Sequence, residues 1–244
     1  KILDGNWYAI VGNQDNKDVT IDNVKIMSNK QNTDAISFWG GSTNLEVKNC
    51  YILNGDNVFV FNNKQENLNI HDCIVGSYGA LIAFSTVMEG DAKVSDMSVF
   101  ATDLMNTANM ALIVNNVYSN EAKSGQSYHV DKLTVENIDA SYCKNVPQLF
   151  AGKGFGDDEK IYIFRNIILP GTTKGIRILV GGNYNITMND VWYGSTLVKS
   201  EQDARITDLG DKTSKFTYNR ESTDMKVFIN GYMVKFDAEP VIEK

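Results

Sequence analysis

The chain reads as an all-β protein, wound into a right-handed single-stranded parallel β-helix. Three observations predict this: a short bend motif that recurs along the chain, a second apolar strand in every repeat, and no helical periodicity of useful length.

The motif spans six residues: apolar, any, apolar, any, Asn or Asp, apolar. Its first copy places Val19, Ile21, Asn23 and Val24 at the defining positions. Six more copies follow, with Asn49, Asp72, Asp96, Asn137, Asn166 and Asp190 at the fifth position. The copies start at 19, 45, 68, 92, 133, 162 and 186, so the steps are 26, 23, 24, 41, 29 and 24 residues. Most steps are nearly equal, and the long one leaves room for an inserted loop. Period-two alternation puts Val19, Ile21 and their equivalents on one face of a strand. The Asn or Asp then ends the run, because it tolerates left-handed backbone and bonds to nearby peptide groups. Stacked coils would repeat every ~4.8 Å and turn the seven bend residues into a ladder. Cys50 and Cys73, which follow the bend in successive copies, would stack inside as apolar filler rather than form a disulfide.

The second strand of each coil is read at 35–38, 58–61, 80–84, 111–114, 148–150 and 175–180. A β-sandwich also produces many short strands, but not the same bend residue at the same place in successive copies. The β-helix is assigned to residues 1–220. Residues 221–244 read as a linker and a hairpin, with Asn230 and Gly231 as a type I′ turn.

Composition narrows the function. At 43% hydrophobic and 22% charged residues the chain is not disordered. Thirty acidic against 23 basic residues, a net charge of −7, argue against a nucleic-acid partner. No apolar run reaches the ~18 residues of a membrane span. Cys50, Cys73 and Cys143 form no C-x-x-C pair, and His71 and His129 sit in no ligand spacing, so neither metal nor cofactor is expected. Both histidines read as surface or turn residues. The acidic run at 157–159 reads as a solvated turn rather than a calcium loop. The opening residues read like the interior of a fold, so the expectation is a piece of a longer, secreted or surface-attached chain.

Solenoids bind along faces built from equivalent positions of successive coils. Just before the second strand lie Asp34, then Asp56 with Asn57, then Tyr78, then Asn109. Stacking is expected to bring Asp34, Asp56 and Tyr78 into one column. Paired carboxylates are the equipment of glycoside hydrolysis, where one donates a proton and the other activates water. The competing reading is that each Asp is a turn residue. Trp39, at the end of the Asp34 strand, could stack on a sugar or fill coil packing.

Asn32, Thr33, Asp34, Ala35 and Ile36, followed by Asn54, Gly55, Asp56 and Asn57, resemble the paired motifs of β-helical, pectate-lyase-like glycoside hydrolases. In the family 28 polygalacturonases these read N-T-D-G-I and G-D-D. The polygalacturonase G-H-G and R-I-K motifs are replaced here by Ser77, Tyr78, Gly79 and by Leu112, Ile113, Val114, which speaks against an acidic pectin substrate. The sequence is more similar to glycoside hydrolase family 49, the dextranases and isopullulanases, over roughly residues 5–220. That resemblance implies inverting endo-hydrolysis of a neutral α-glucan, with Asp56 matching the general acid and Asp34 a general base. Asn57, Tyr78 and Trp39 would contact substrate. The family carries a second Asp where this chain has Asn57, and that departure opens an alternative: a non-catalytic polysaccharide-binding or adhesin β-helix on a bacterial cell surface. The stretch from Lys226 to Glu243 resembles the start of a small copper-amine-oxidase-like N-terminal module found on secreted and surface proteins, without copper ligands.

Overall fold

The computed structural model describes residues 1–3, 7–85, 88–100, 111–115, 130–152, 159–178, 183–208, 214–219, 225–229 and 232–236. Among these the only helix is the single turn Glu201–Ala204; nearly everything else is strand. No helix among the described residues is long and apolar enough to cross a membrane.

The strands stack coil upon coil in sheets of twelve and eight strands, all in parallel except the short Thr196–Leu197 strand, which pairs antiparallel. The eight-stranded sheet forms one wall of the solenoid. It runs through Tyr8–Gly12, Asp34–Phe38, Phe59–Asn62, Ile82–Ser85, Ile113–Asn115, Phe150–Gly152, Ile176–Ile178 and Thr207–Asp208. The twelve-stranded sheet supplies the other two walls and turns the corner between them at the bend residue. In the early coils the corner separates two strands, such as Ser42–Lys48 and Tyr51–Gly55. In the later coils one strand passes through it, as in Gln65–Ser77, Met88–Val99, Val130–Asp139, Glu159–Leu169 and Asn183–Tyr193.

Backbone angles explain the corner. Asn23, Asn49, Asp72, Asp96, Asn137, Asn166 and Asp190 all adopt left-handed backbone, with φ between 49 and 57°. Only glycine does so without penalty, and among the other residues Asn and Asp do so most readily. Their side chains tie coil to coil: Asn137 Nδ2 donates to Asp96 Oδ1 at 2.9 Å, and Asn166 Nδ2 to Asn137 Oδ1 at 2.9 Å. The first of these bonds spans 41 residues, so the long step in the repeat does not break the stack.

The alternation fills the core. Val19, Leu45, Leu68, Ala92, Leu133, Tyr162 and Ile186 lie in one register row, which Phe216 extends by an eighth copy. Ile21, Val47, Ile70, Val94, Val135, Phe164, Met188 and Tyr218 form the next inward row. Facing them from the eight-stranded sheet, Phe38, Phe61 and Phe84 stack with ring centroids 6.2 and 5.7 Å apart. The three cysteines are buried and not joined in disulfides; Cys50 and Cys73 sit in the core cluster, as the sequence predicts.

Two features lie outside the sequence reading. A second set of left-handed residues, Asp18, Asn44 and Asn67, forms its own ladder, with Asn44 donating to Asp18 at 2.8 Å and Asn67 to Asn44 at 3.1 Å. His71 is held between Asp72 (2.6 Å) and Glu46 (3.3 Å), on the outer face of the coil. Met225–Ile229 and Tyr232–Phe236 pair as an antiparallel hairpin. The turn at 230–231, the segment after Phe236, His129, Asn109 and positions 157–158 lie outside the described residues.

Candidate active site

The eight-stranded wall begins, in each early coil, at the corner that carries the candidate acids. Tyr8 pairs with Asp34 in register, and counting back from the Ile36–Phe59 pair sets Asp34 level with Asn57. One coil further on, the carbonyl of Ala80 accepts from Val58, which sets Asn57 level with Ala80. The row is therefore Tyr8, Asp34, Asn57 and Ala80. This corrects the expected column of Asp34, Asp56 and Tyr78. Asp56 stands one residue earlier, level with Gly79, and Tyr78 earlier still. The register follows the apolar frame, in which Phe38 pairs with Phe61, and that frame puts position 57, not 56, beside position 34. Gln31 pairs with Gly55, so the first coil fits one extra residue into this corner, where Asn32 turns left-handed at φ 54°.

Close backbone packing fixes the corner. A β-carbon on Gly55 would meet the carbonyl oxygen of Lys30 at 1.9 Å, and one on Gly79 would meet Asn57 N at 2.5 Å. Only glycine admits such an approach. Buried Asn54 gathers three carbonyls: its Nδ2 faces Thr33 O at 2.7 Å, Asp56 O at 2.9 Å and Asn57 O at 2.8 Å. The Ser77 hydroxyl also donates to the Asp56 carbonyl and accepts from Gly79 N at 3.0 Å.

Both acids are shifted by their surroundings. Asp34 is largely buried, and burial, reinforced by the negative charge of Asp56, raises its carboxyl to about 6 from an ordinary 3.8, against the opposing hydrogen bonds of Asn57. Burial also raises Asp56, opposed by the backbone N–H of Asn57, which donates to Asp56 Oδ1 at 2.8 Å. The Tyr8 phenol is raised by burial and then by the charges of Asp34 and Asp56. Tyr8 thus belongs to the site although sequence reasoning did not select it. The signal was present: Tyr8 precedes Asp34 by 26 residues, the same step that separates Asp18 from Asn44 in the ladder.

Exposed aromatics lie on the same coils as the acids. Trp39 is 44% exposed and meets Tyr8 edge-on at 5.2 Å; Tyr78 is 43% exposed. Trp7 is 69% exposed and borders a recess of about 170 Å³ with Lys30, Gln31, Asn32 and Thr33. A separate polar groove of about 560 Å³ crosses the outer face of the neighbouring wall, past Glu46, Asn69, His71 and Lys93, away from the acids. Among the described residues no three His, Cys, Asp or Glu side chains converge as metal ligands.

Fold and corner together define a class: a parallel β-solenoid carrying two half-buried carboxylates on adjacent coils, with exposed aromatic rings on the same coils. Such a fold, with its extended faces, is consistent with a polysaccharide-active protein. No protein-family model, curated protein or solved structure matches the chain.

Proposed function

We propose that the chain is a secreted, polysaccharide-active β-helix protein that hydrolyses the glycosidic bonds of a dextran-like α-glucan by inverting endo-cleavage. The observation that carries this reading is the pair Asp34 and Asp56, brought from adjacent coils to one corner and close enough for one charge to raise the other acid. An inverting cleavage needs this equipment. One carboxylic acid protonates the leaving glycosidic oxygen as its bond to the anomeric carbon breaks. The other carboxylate takes a proton from the water that attacks the opposite face. The motif resemblance gives Asp56 the donor role and Asp34 the base role. Trp39 and Tyr78 present partly exposed rings that would stack on sugar faces.

The test is release of reducing ends from dextran and pullulan, with Asp34→Asn and Asp56→Asn as controls. Each variant is expected to lose at least ~100-fold in rate, and the first product should carry the inverted anomer. Undiminished activity in either variant overturns the assignment.

One observation favours a second reading, a non-catalytic polysaccharide-binding or adhesin module on a bacterial surface. The residue level with Asp34 is Asn57, an amide that accepts no proton from water. Binding on a glycan array without turnover supports this second reading. Failure to bind any polysaccharide counts against both.

A further inference from the structure

Trp7 breaks two local rules at once. Its backbone is left-handed at φ 72°, a conformation that suits glycine or asparagine and strains a bulky residue. Its large apolar side chain nevertheless lies mostly in solvent. Neither the turn nor the core therefore calls for tryptophan at this position. Strained backbone and broken local rules concentrate where a chain binds something.

The surroundings of Trp7 indicate what that is. The recess it borders, about 170 Å³, has roughly the volume of a single hexose. It forms where the first coil fits its extra residue, beside the left-handed Asn32. The exposed side chains of Gln31 and Asn32 line it, and each amide carries both a donor and an acceptor. An aromatic face for the C–H side of a sugar ring and amides for its hydroxyls make a pyranose site.

Register places the recess relative to the acids. Tyr8 pairs with Asp34, which sets Trp7 level with Thr33, and the next pairing sets Thr33 level with Asp56. Trp7 and Asp56 are thus two coil steps apart, about 10 Å. One coil step is close to the length of one pyranose unit in an extended chain. A glucan running along the stack would set one unit at Asp56 and another, two further on, at Trp7. The acids on that path disfavour a polyuronate and leave a neutral chain as the fitting ligand.

We propose that Trp7 is the platform of a distal subsite that holds one neutral hexose unit, two units away from the bond at the acids. This rests on the hydrolase reading for the place of that bond.

The experiment is calorimetric titration of isomaltotetraose into the Asp34→Asn protein, which should bind without turnover. Adding Trp7→Ala should weaken binding roughly tenfold. Trp7→Asn also removes the ring and suits the left-handed backbone, so it carries the test if the alanine variant fails to fold. Tyr142→Ala removes a comparably exposed ring that does not border the recess, and should leave affinity unchanged. In the otherwise unaltered protein, Trp7→Asn should raise KM for isomaltotetraose and spare kcat, because the contact is made equally in ground and transition states. Unchanged affinity on loss of the ring, no binding of isomaltotetraose, or tighter binding of an oligogalacturonate overturns the subsite. Cleavage of dextran that is indifferent to Trp7 removes the subsite and keeps the hydrolase. Trp7-dependent binding without cleavage keeps the subsite and removes the hydrolase.

Discussion

At the scale of single residues the molecule is governed by backbone handedness. Each corner needs a left-handed residue, and the chain supplies Asn or Asp at every one described by the repeat. Asn137 also donates to Asp96 and accepts from Asn166. Asn137→Ala should therefore cost about 1–3 kcal/mol, combining left-handed strain with the lost ladder bonds. Asn137→Gly keeps the conformation and should cost less; urea midpoints of the two variants rank them. Asp34 makes the opposite contribution. Its folded-state midpoint of about 6 exceeds the ordinary 3.8. The folded state thus binds the proton more tightly than the unfolded chain, so stability falls as pH rises from about 4 to about 6 and stays lower above that. Asp34→Asn removes this penalty. Its thermal midpoint should exceed that of the parent protein at pH 7.5, and the difference should vanish near pH 3.5.

At the scale of elements, stability comes from like stacked on like. Phe61 is fully buried between Phe38 and Phe84. Phe61→Ala opens a cavity in the middle of that column and should cost about 3–5 kcal/mol by denaturant unfolding. On the outer face, Lys93 and Arg165 flank Glu136 at 2.7 and 3.2 Å, pairs with exposed cations that are expected to add little. His71 is different in kind. Burial pulls its midpoint down, but the hydrogen bonds and charges of Asp72 and Glu46 outweigh it and raise the imidazole overall. A raised imidazole stabilises below its unfolded midpoint, and that contribution is lost as pH rises through the folded one. His71→Asn should therefore destabilise the protein at pH 5.5 more than at pH 8.5, read as the difference in thermal midpoint.

At the scale of the whole molecule, each coil touches only its neighbours, which is the arrangement of a one-dimensional stack. Ile2, Ala9, Ile10 and Val19 in the first described coil, and Phe216 and Tyr218 in the last, remain partly exposed where equivalent residues further in are buried. Hydrogen exchange should be slowest in the strands around Leu68, Val94 and Val135 and fastest in Tyr8–Gly12 and Lys215–Asn219. Much of this architecture was legible, because left-handed tolerance belongs to Asn and Asp as residues and alternation shows in any window of six. The Asp18, Asn44 and Asn67 ladder was not, because those residues bulge a strand without interrupting the apolar rows beside them. Nor was the partner of Asp34. Matching carboxylate to carboxylate pairs positions 34 and 56, whereas the fold matches core to core, and Phe38 over Phe61 delivers Asn57 instead. Coupling between the acids and Tyr8 depended on burial, which sequence spacing does not report.

The side chain of Asn54, which draws three carbonyls together beneath Asp56, is followed by Gly55, whose place beside Lys30 admits no other residue. Geometry has thus imposed the dipeptide whose amide is most easily lost, because a glycine nitrogen readily attacks the preceding side chain. In the intact coil Asn54 is buried and its amide is held by those carbonyls, a restraint against that attack which the unfolded chain does not have. Ageing the protein under denaturing, alkaline conditions should convert Asn54 to aspartate or isoaspartate, detectable by peptide mass mapping. A chain so altered has no donor to offer those carbonyls and should refold poorly, giving the molecule a chemical clock that runs only when it is open.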